Sequence, residues 1–180
     1  MDDLASSLGI SKRTIYMNFR NKEDILKNCI HVHQEIIFQT MNEIMEQSEN
    51  IVYGCLQIIN HYKFTQLPTV KLWEDIFKYY PETIQCVQEN VEKRNIYLRR
   101  LLNKGITENY FRGNINTDET ICMMDISAGI KIRGIYSDRV SISQTDLIFS
   151  LMVNMLRGIS TYKGIEIIDR YIDSLPNSNN

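Results

Sequence analysis

Residues 11–22 gather side chains suited to holding a polyanion and reading a base edge: Ser11, Lys12, Arg13, Thr14, Tyr16, Met17, Asn18 and Lys22. Phosphate oxygens want hydroxyl donors and positive charge, whereas base edges want forked or flexible donors. If a helix starts just after Ser11, a good N-cap residue, Ile15 and Phe19 fall one turn apart and form its inner apolar face. The outer face then carries Lys12, Arg13, Tyr16 and Met17, with Thr14 and Asn18 at its edges. Such a helix fits a major groove about 12 Å wide. Lys12 and Arg13 stand at its N-terminal end, where base edges are usually met. Met17 is suited to a thymine methyl group.

These side chains need a scaffold, and the flanking residues supply it. A short helix over 2–8 is expected to end at Gly9, which tolerates the positive φ of a tight turn. Ala5 is small enough for two helices to cross closely, and Leu4, Leu8 and Ile10 close a small core. Asn21 is expected to cap a third helix running from Lys22 to about Gln47. Its apolar positions Ile25, Leu26, Cys29, Ile30, Ile36, Ile37, Met41, Ile44 and Met45 keep a three-to-four spacing. At ~1.5 Å per residue that helix spans roughly 38 Å, enough to join two domains rigidly. Ala5, Gly9 and Ile15 alone would describe any helical hairpin; Thr14-Ile15-Tyr16 and Asn21-Lys22-Glu23 narrow the reading.

The stretch resembles the DNA-binding domain of the TetR family of regulators. The matching residues are Leu4-Ala5, Leu8-Gly9-Ile10-Ser11-Lys12, Thr14-Ile15-Tyr16, Phe19 and Asn21-Lys22-Glu23-Asp24-Ile25-Leu26. The resemblance implies that Thr14, Tyr16 and Lys22 hold phosphates while Lys12 and Arg13 face base edges. It also implies a further helix before Asp2, so the reading frame is expected to begin too late. Leu4, Leu8, Ile15, Phe19, Ile25 and Leu26 would then lack a covering layer, each forfeiting ~1.5–3 kcal/mol if fully uncovered. A head so bared is expected to be loose.

Beyond residue 47, apolar residues recur at helical spacing and strand-like alternation is scarce. Helices are expected at about 50–65, 70–80, 81–110 with Pro81 as first helical residue, 117–134 capped by Thr117, 144–159 and 164–175. Breaks fall at Pro68-Thr69, at Arg112-Gly113-Asn114 and in the polar segment 137–143. The expected fold class is all-α. Residues 1–47 form a helix-turn-helix head with its connecting helix, and residues 48–180 a helical ligand-binding and dimerisation domain.

The middle helices are rich in aromatic and amphipathic side chains: Tyr53, His61, Tyr62, Phe64, Trp73, Phe77, Tyr80 and Tyr97. Such residues most often form plain core, but pockets also favour walls of this kind. Tyr62, Trp73, Phe77 and Tyr97 are the candidates for binding a small-molecule effector, with a cavity expected beside Trp73. The helix at 144–159 is apolar around most of its circumference, with Leu147, Ile148, Phe149, Leu151, Met152, Val153, Met155, Leu156 and Ile159. A helix apolar all round must be buried all round. The helix at 117–134 shows a similar excess, so two such helices per chain are expected to build a four-helix dimer interface. Its candidates are Ile121, Met124, Ala128, Leu151, Met152, Met155 and Ile159.

Net charge is -2, so no overall basic field is present; residues 1–34 carry five Lys/Arg against four acids, and the rest fifteen against eighteen. The four cysteines are widely spaced without a CxxC pair, which suits free buried thiols in a reducing cytoplasm. No apolar run approaches the ~20 residues that cross a bilayer. His31 and His33 point to different faces of one helix, and Gly-rich phosphate loops and GxSxG are absent from the sequence. The expectation is a cytoplasmic, non-enzymatic homodimer without cofactor or metal that binds a double-stranded DNA operator and a small-molecule effector. The alternative is an all-α ligand-binding or protein-interaction module whose head no longer binds DNA.

Overall fold

The computed structural model describes residues 1–63, 70–133 and 144–175, with side chains at all of these but 70, 127–133 and 144. These residues form nine helices: α1 (Asp2–Leu8), α2 (Lys12–Asn18), α3 (Lys22–Gln47), α4 (Ile51–Lys63), α5 (Val70–Tyr79), α6 (Thr83–Thr107), α7 (Thr117–Arg133), α8 (Gln144–Ile159) and α9 (Tyr162–Ser174). Among the described residues no helix is long and apolar enough to cross a membrane. The all-α architecture expected from the sequence is the one observed.

The body is organised around α4. Ile51, Val52 and Leu56 are essentially inaccessible to solvent, because α3, α6, α8 and α9 all pack against this helix. Leu102 of α6, Ile121 of α7, Val153, Leu156 and Ile159 of α8, and Ile168 and Tyr171 of α9 complete one continuous core. Burying each large aliphatic side chain contributes about 1.5–3 kcal/mol, which is what holds helices of such different sequence position together. The long α3 lies along both α4 and α6, so its C-terminal half is body structure while its N-terminus carries the head.

Helix ends are set by local side chains. Asn21 Oδ1 accepts from the Asp24 amide at 2.8 Å, and Asp24 Oδ2 accepts from the Arg20 amide at 3.0 Å, so the first turn of α3 is held from both sides. Thr161 caps α9 through the Gly164 amide, two residues earlier than the spacing suggested. At α7 the cap is Asn116, whose Oδ1 accepts from Asp118 and Glu119, and not Thr117; a carboxamide outside the helix reaches its orphan amides, while Thr117 is already helical. Pro81 and Glu82 form a turn ahead of α6, which starts at Thr83. The cysteines are free, but Cys29 and Cys122 are exposed rather than buried, since each falls off the packed stripe of its helix. Phe64, the Pro68-Thr69 break, the 134–143 segment and residues 176–180 lie outside the described residues.

A clasp joins α6 to the α8–α9 corner. After α6 the chain passes through Asn109 at φ 60°, and the Tyr110 and Phe111 amides both donate to the Gly105 carbonyl, at 2.8 and 3.0 Å. The Phe111 ring folds over Gly105 and is 1% exposed. Arg112 N donates to Ile159 O, and Thr161 N to Tyr110 O, each at 2.9 Å. A β-carbon on Gly105 would overlap the Phe111 ring, whereas one on Gly158 would meet open space. Gly105→Ala is therefore expected to destabilise the fold by about 1–3 kcal/mol through overpacking, and Gly158→Ala to be neutral or stabilising by up to ~1 kcal/mol. Denaturant melts of the two variants beside the parent check this; equal midpoints for both would contradict the clasp.

Candidate nucleic-acid interface

The helix pair α1–α2 is built as its residues require. Gly9 stands at φ 65° in the left-handed region, the conformation that a glycine adopts without steric penalty. The Ile10 amide reaches back to the Ala5 carbonyl at 3.1 Å. Ala5 and Ile15 are buried where the helices cross. Ser11 Oγ accepts from the Thr14 amide at 3.1 Å and lies 2.9 Å from Thr14 Oγ1, so the start of α2 is capped. The uncompensated amides of that first turn carry partial positive charge, which favours a phosphate beside them.

The candidate contact residues all stand exposed, and they divide into two sets. Arg13, Tyr16, Met17 and Lys22 project into solvent, with Tyr16 54% and Met17 76% exposed. Lys12, Thr14 and Asn18 already hold partners. Lys12 pairs with Asp2 of α1, the Thr14 hydroxyl meets Ser11, and Asn18 Nδ2 donates to the Thr14 carbonyl at 2.8 Å. The Lys12–Asp2 pair was not legible from spacing, because it joins the starts of two helices across the turn.

Of the apolar residues expected to be short of cover, Ile15 is buried, Leu4, Phe19, Ile25 and Leu26 are half-buried, and Leu8 is 59% exposed. Ile10 is 42% exposed. On the far side of α3, Val32 and Ile36 are 51% and 57% exposed.

One set of contacts ties α3 to the start of α6. Glu23 Oε1 accepts from the Glu82 amide at 3.0 Å, and Lys27 Nζ donates to Glu82 Oε2 at 2.8 Å. The Lys27 ammonium holds the Glu82 carboxyl below its ordinary range, and the Lys27 pKa is raised in return. Reasoning from sequence missed this tie, since more than fifty positions separate its members.

The effector candidates fall in two groups. Trp73 and Phe77 stack on α5 with centroids 5.6 Å apart. Tyr97 of α6 meets Phe38 of α3 edge-on at 6.0 Å. Burial raises the Tyr97 hydroxyl and pushes the Tyr62 hydroxyl and the Cys55 thiol up to about 12, so all three stay neutral near pH 7. A cavity of about 670 Å³ opens elsewhere, lined by Ile44, Gln47, Tyr53, Gln57, Asn60, His61 and Tyr171. None of the candidates Tyr62, Trp73, Phe77 and Tyr97 is among its walls; Tyr53 and His61, noted in the sequence only as part of the aromatic-rich middle helices, are.

Of the dimer candidates, Met124, Leu151, Met152 and Met155 are half-buried. Ile121 and Ile159 are 3% and 8% exposed and belong to the core of the single chain. The Ala128 side chain lies outside the described residues. Met123 and Ile126 of α7 are 54% and 62% exposed. Among the described residues no group of three or more His, Cys, Asp or Glu could hold a metal ion.

The Ser11 cap carries a direct test. Ser11→Ala is expected to cost about 0.5–2 kcal/mol locally, read as faster hydrogen exchange at the Thr14, Ile15 and Tyr16 amides, with Ser11→Asp restoring protection. Unchanged exchange in Ser11→Ala would show that the cap does not hold α2.

Comparison with known proteins agrees with this geometry. Residues 1–29 match the family described as bacterial regulatory proteins, tetR family. No curated protein matches the sequence. The fold is that of solved regulators at low identity. The fatty acid degradation regulator FadR from Bacillus halodurans aligns at TM-score 0.69 and 18% identity, over 87% of this chain and 83% of that one. FadR from Bacillus subtilis, solved with stearoyl-CoA, aligns at 0.66 and 16%, over 88% and 87%. The ketosteroid transcriptional regulator KstR2 of Mycobacterium tuberculosis aligns at 0.57 and 17%, over 88% and 83%. Residues 1–29 thus match the tetR family of bacterial regulatory proteins, in a chain with the fold of the solved FadR and KstR2 regulators.

Proposed function

We propose that the chain is a ligand-responsive transcriptional repressor that binds a two-fold symmetric DNA operator as a homodimer. The observation that carries this reading is α2 itself: a capped helix with Arg13, Tyr16 and Met17 exposed on one surface and Lys22 at the start of the next helix. In this reading Arg13 meets a base edge, Tyr16, Thr14 and Lys22 hold phosphates, and Lys12 exchanges Asp2 for DNA. Residues 1–47 act as head and connecting helix, and residues 48–180 as the effector and dimerisation domain. The stearoyl-CoA bound by the Bacillus subtilis FadR supports an effector with a long apolar part. Tyr62, Trp73, Phe77 and Tyr97 are its proposed contacts.

A second reading, an all-α ligand-binding or protein-interaction module whose head no longer binds DNA, is favoured by the exposure of Leu8 and Ile10. A gel shift against the DNA flanking the gene separates the two. A specific, competable complex supports the first reading, and its absence with a folded protein supports the second.

Contact roles are tested by substitution. Tyr16→Phe and Lys22→Ala are expected to weaken binding to all sequences alike, and Lys22→Ala also to flatten its salt dependence. Arg13→Ala should instead relax preference at one base position by ~1–3 kcal/mol. Binding isotherms on operator and scrambled DNA at two salt concentrations check this; equal loss on both DNAs for Arg13→Ala would remove it from base readout.

The dimer is proposed to form through α7 and α8, with Met124, Leu151, Met152 and Met155 at the contact and Ile126 beside them. Light scattering is expected to give twice the 21.2 kDa of one chain. Met155→Glu should give monomers or insoluble protein, because an unpaired charge is costly to bury. Ile126→Glu, at a site exposed in the single chain, should give folded monomers. A parent protein that runs at single-chain mass would overturn the interface.

A further inference from the structure

The cavity between the last turns of α3, the outer face of α4 and the end of α9 has an unusual lining. Tyr53, Gln57, Asn60 and His61 recur along one face of α4. Ile44 and Gln47 come from α3, and Tyr171 from α9. None of the seven side chains is a Lys, Arg, Asp or Glu. A helix face that merely meets water has no reason to be free of charge, and the exposed face of α6 shows the usual alternative with Glu89, Glu92 and Lys93. Here, instead, three carboxamides and an imidazole converge on a concavity of about 670 Å³, a volume typical of small-molecule sites.

The arrangement is also held in place. Tyr53 and Tyr171 meet edge to face, with centroids 5.4 Å apart and planes at 83°, which fixes one wall. Gln57 is held by Ser48 Oγ at 2.8 Å. Either orientation of its amide leaves one polar atom for the cavity. Carboxamides present a donor and an acceptor side by side, the pattern that pairs with the edge of a nucleobase, and aromatic rings offer faces to its flat surface.

We propose that this cavity binds a neutral, planar heteroaromatic molecule of nucleobase type. Gln57 and Asn60 read its donor and acceptor edge, and the Tyr53–Tyr171 pair packs on its plane. The absence of cationic walls means that the base is recognised rather than any phosphate attached to it. Since α3 supplies two of the walls and also leads to the head, occupancy would brace the linking helix against α4 and α9.

Isothermal titration of the full chain with adenosine, guanosine and AMP tests the site. A saturable, single-site response to at least one nucleoside is expected, with AMP no tighter than adenosine. Gln57→Leu and Asn60→Leu should each weaken that binding by about tenfold or more, as should Gln47→Leu at an exposed position that leaves packing intact. Circular dichroism melts keep loss of binding distinct from loss of fold. No saturable response at about 1 mM nucleoside, or affinity unchanged in folded Gln57→Leu and Asn60→Leu proteins, would overturn the site. AMP binding about tenfold tighter than adenosine would also overturn it, by placing recognition on phosphate. The titration reads binding to the body, so it is decided separately from whether the head binds an operator.

Discussion

Burial of the inner residues of α4, Ile51, Val52 and Leu56, is the constraint on which the rest of the body depends. With Val52 and Leu56 wholly inaccessible, this helix is stable only when α3, α6, α8 and α9 enclose it. Those four contribute residues far apart in the chain, so the long turn after α6 and the corner after α8 must bring them back. The clasp at Gly105 and Phe111 is how they do so. It fixes the exit of α6, and its neighbours Tyr110 and Arg112 bind the α8–α9 corner through backbone hydrogen bonds. A glycine is needed at 105 because an aromatic ring rests directly on the helix backbone there.

The linking helix α3 inherits two roles from this arrangement. Its C-terminal half packs on α4 and α6, and its N-terminal turn carries the head. The Glu23–Glu82–Lys27 contacts make that turn answer to the start of α6 as well. One is an ion pair at the surface, a kind that in general contributes little to stability, and the other is a carboxylate accepting from a backbone amide. Their consequence is positional: two hydrogen bonds hold the base of the head against the turn before α6.

Polar side chains in this chain sort by environment. The head keeps Arg13, Tyr16 and Met17 solvated on α2 and Lys22 at the start of α3, and it buries only Ala5 of α1 and Ile15 of α2. In the body, burial raises the pKa of Tyr62, Tyr97 and Cys55. The cavity walls between α3, α4 and α9 are polar yet uncharged. The head surface and the cavity thus differ in chemistry on one scaffold.

The helical class, the turn at Gly9, the caps at Ser11 and Asn21 and the outward face of α2 were legible in the sequence, because each is decided by residues within a few positions. Periodicity alone gave the helices to within two or three residues. The cap of α7 was misplaced by one residue, because both Asn116 and Thr117 can accept from a helix N-terminus and only the backbone path decides which does. The burial of Ile121 and Ile159 in the chain's own core followed from tertiary packing: an apolar helix says that it must be covered, not by what. The same holds for the Lys12–Asp2 and Lys27–Glu82 pairs and for the uncharged cavity. Their members approach only after α4 has drawn the helices together, and no local pattern records which distant side chains will then face one another.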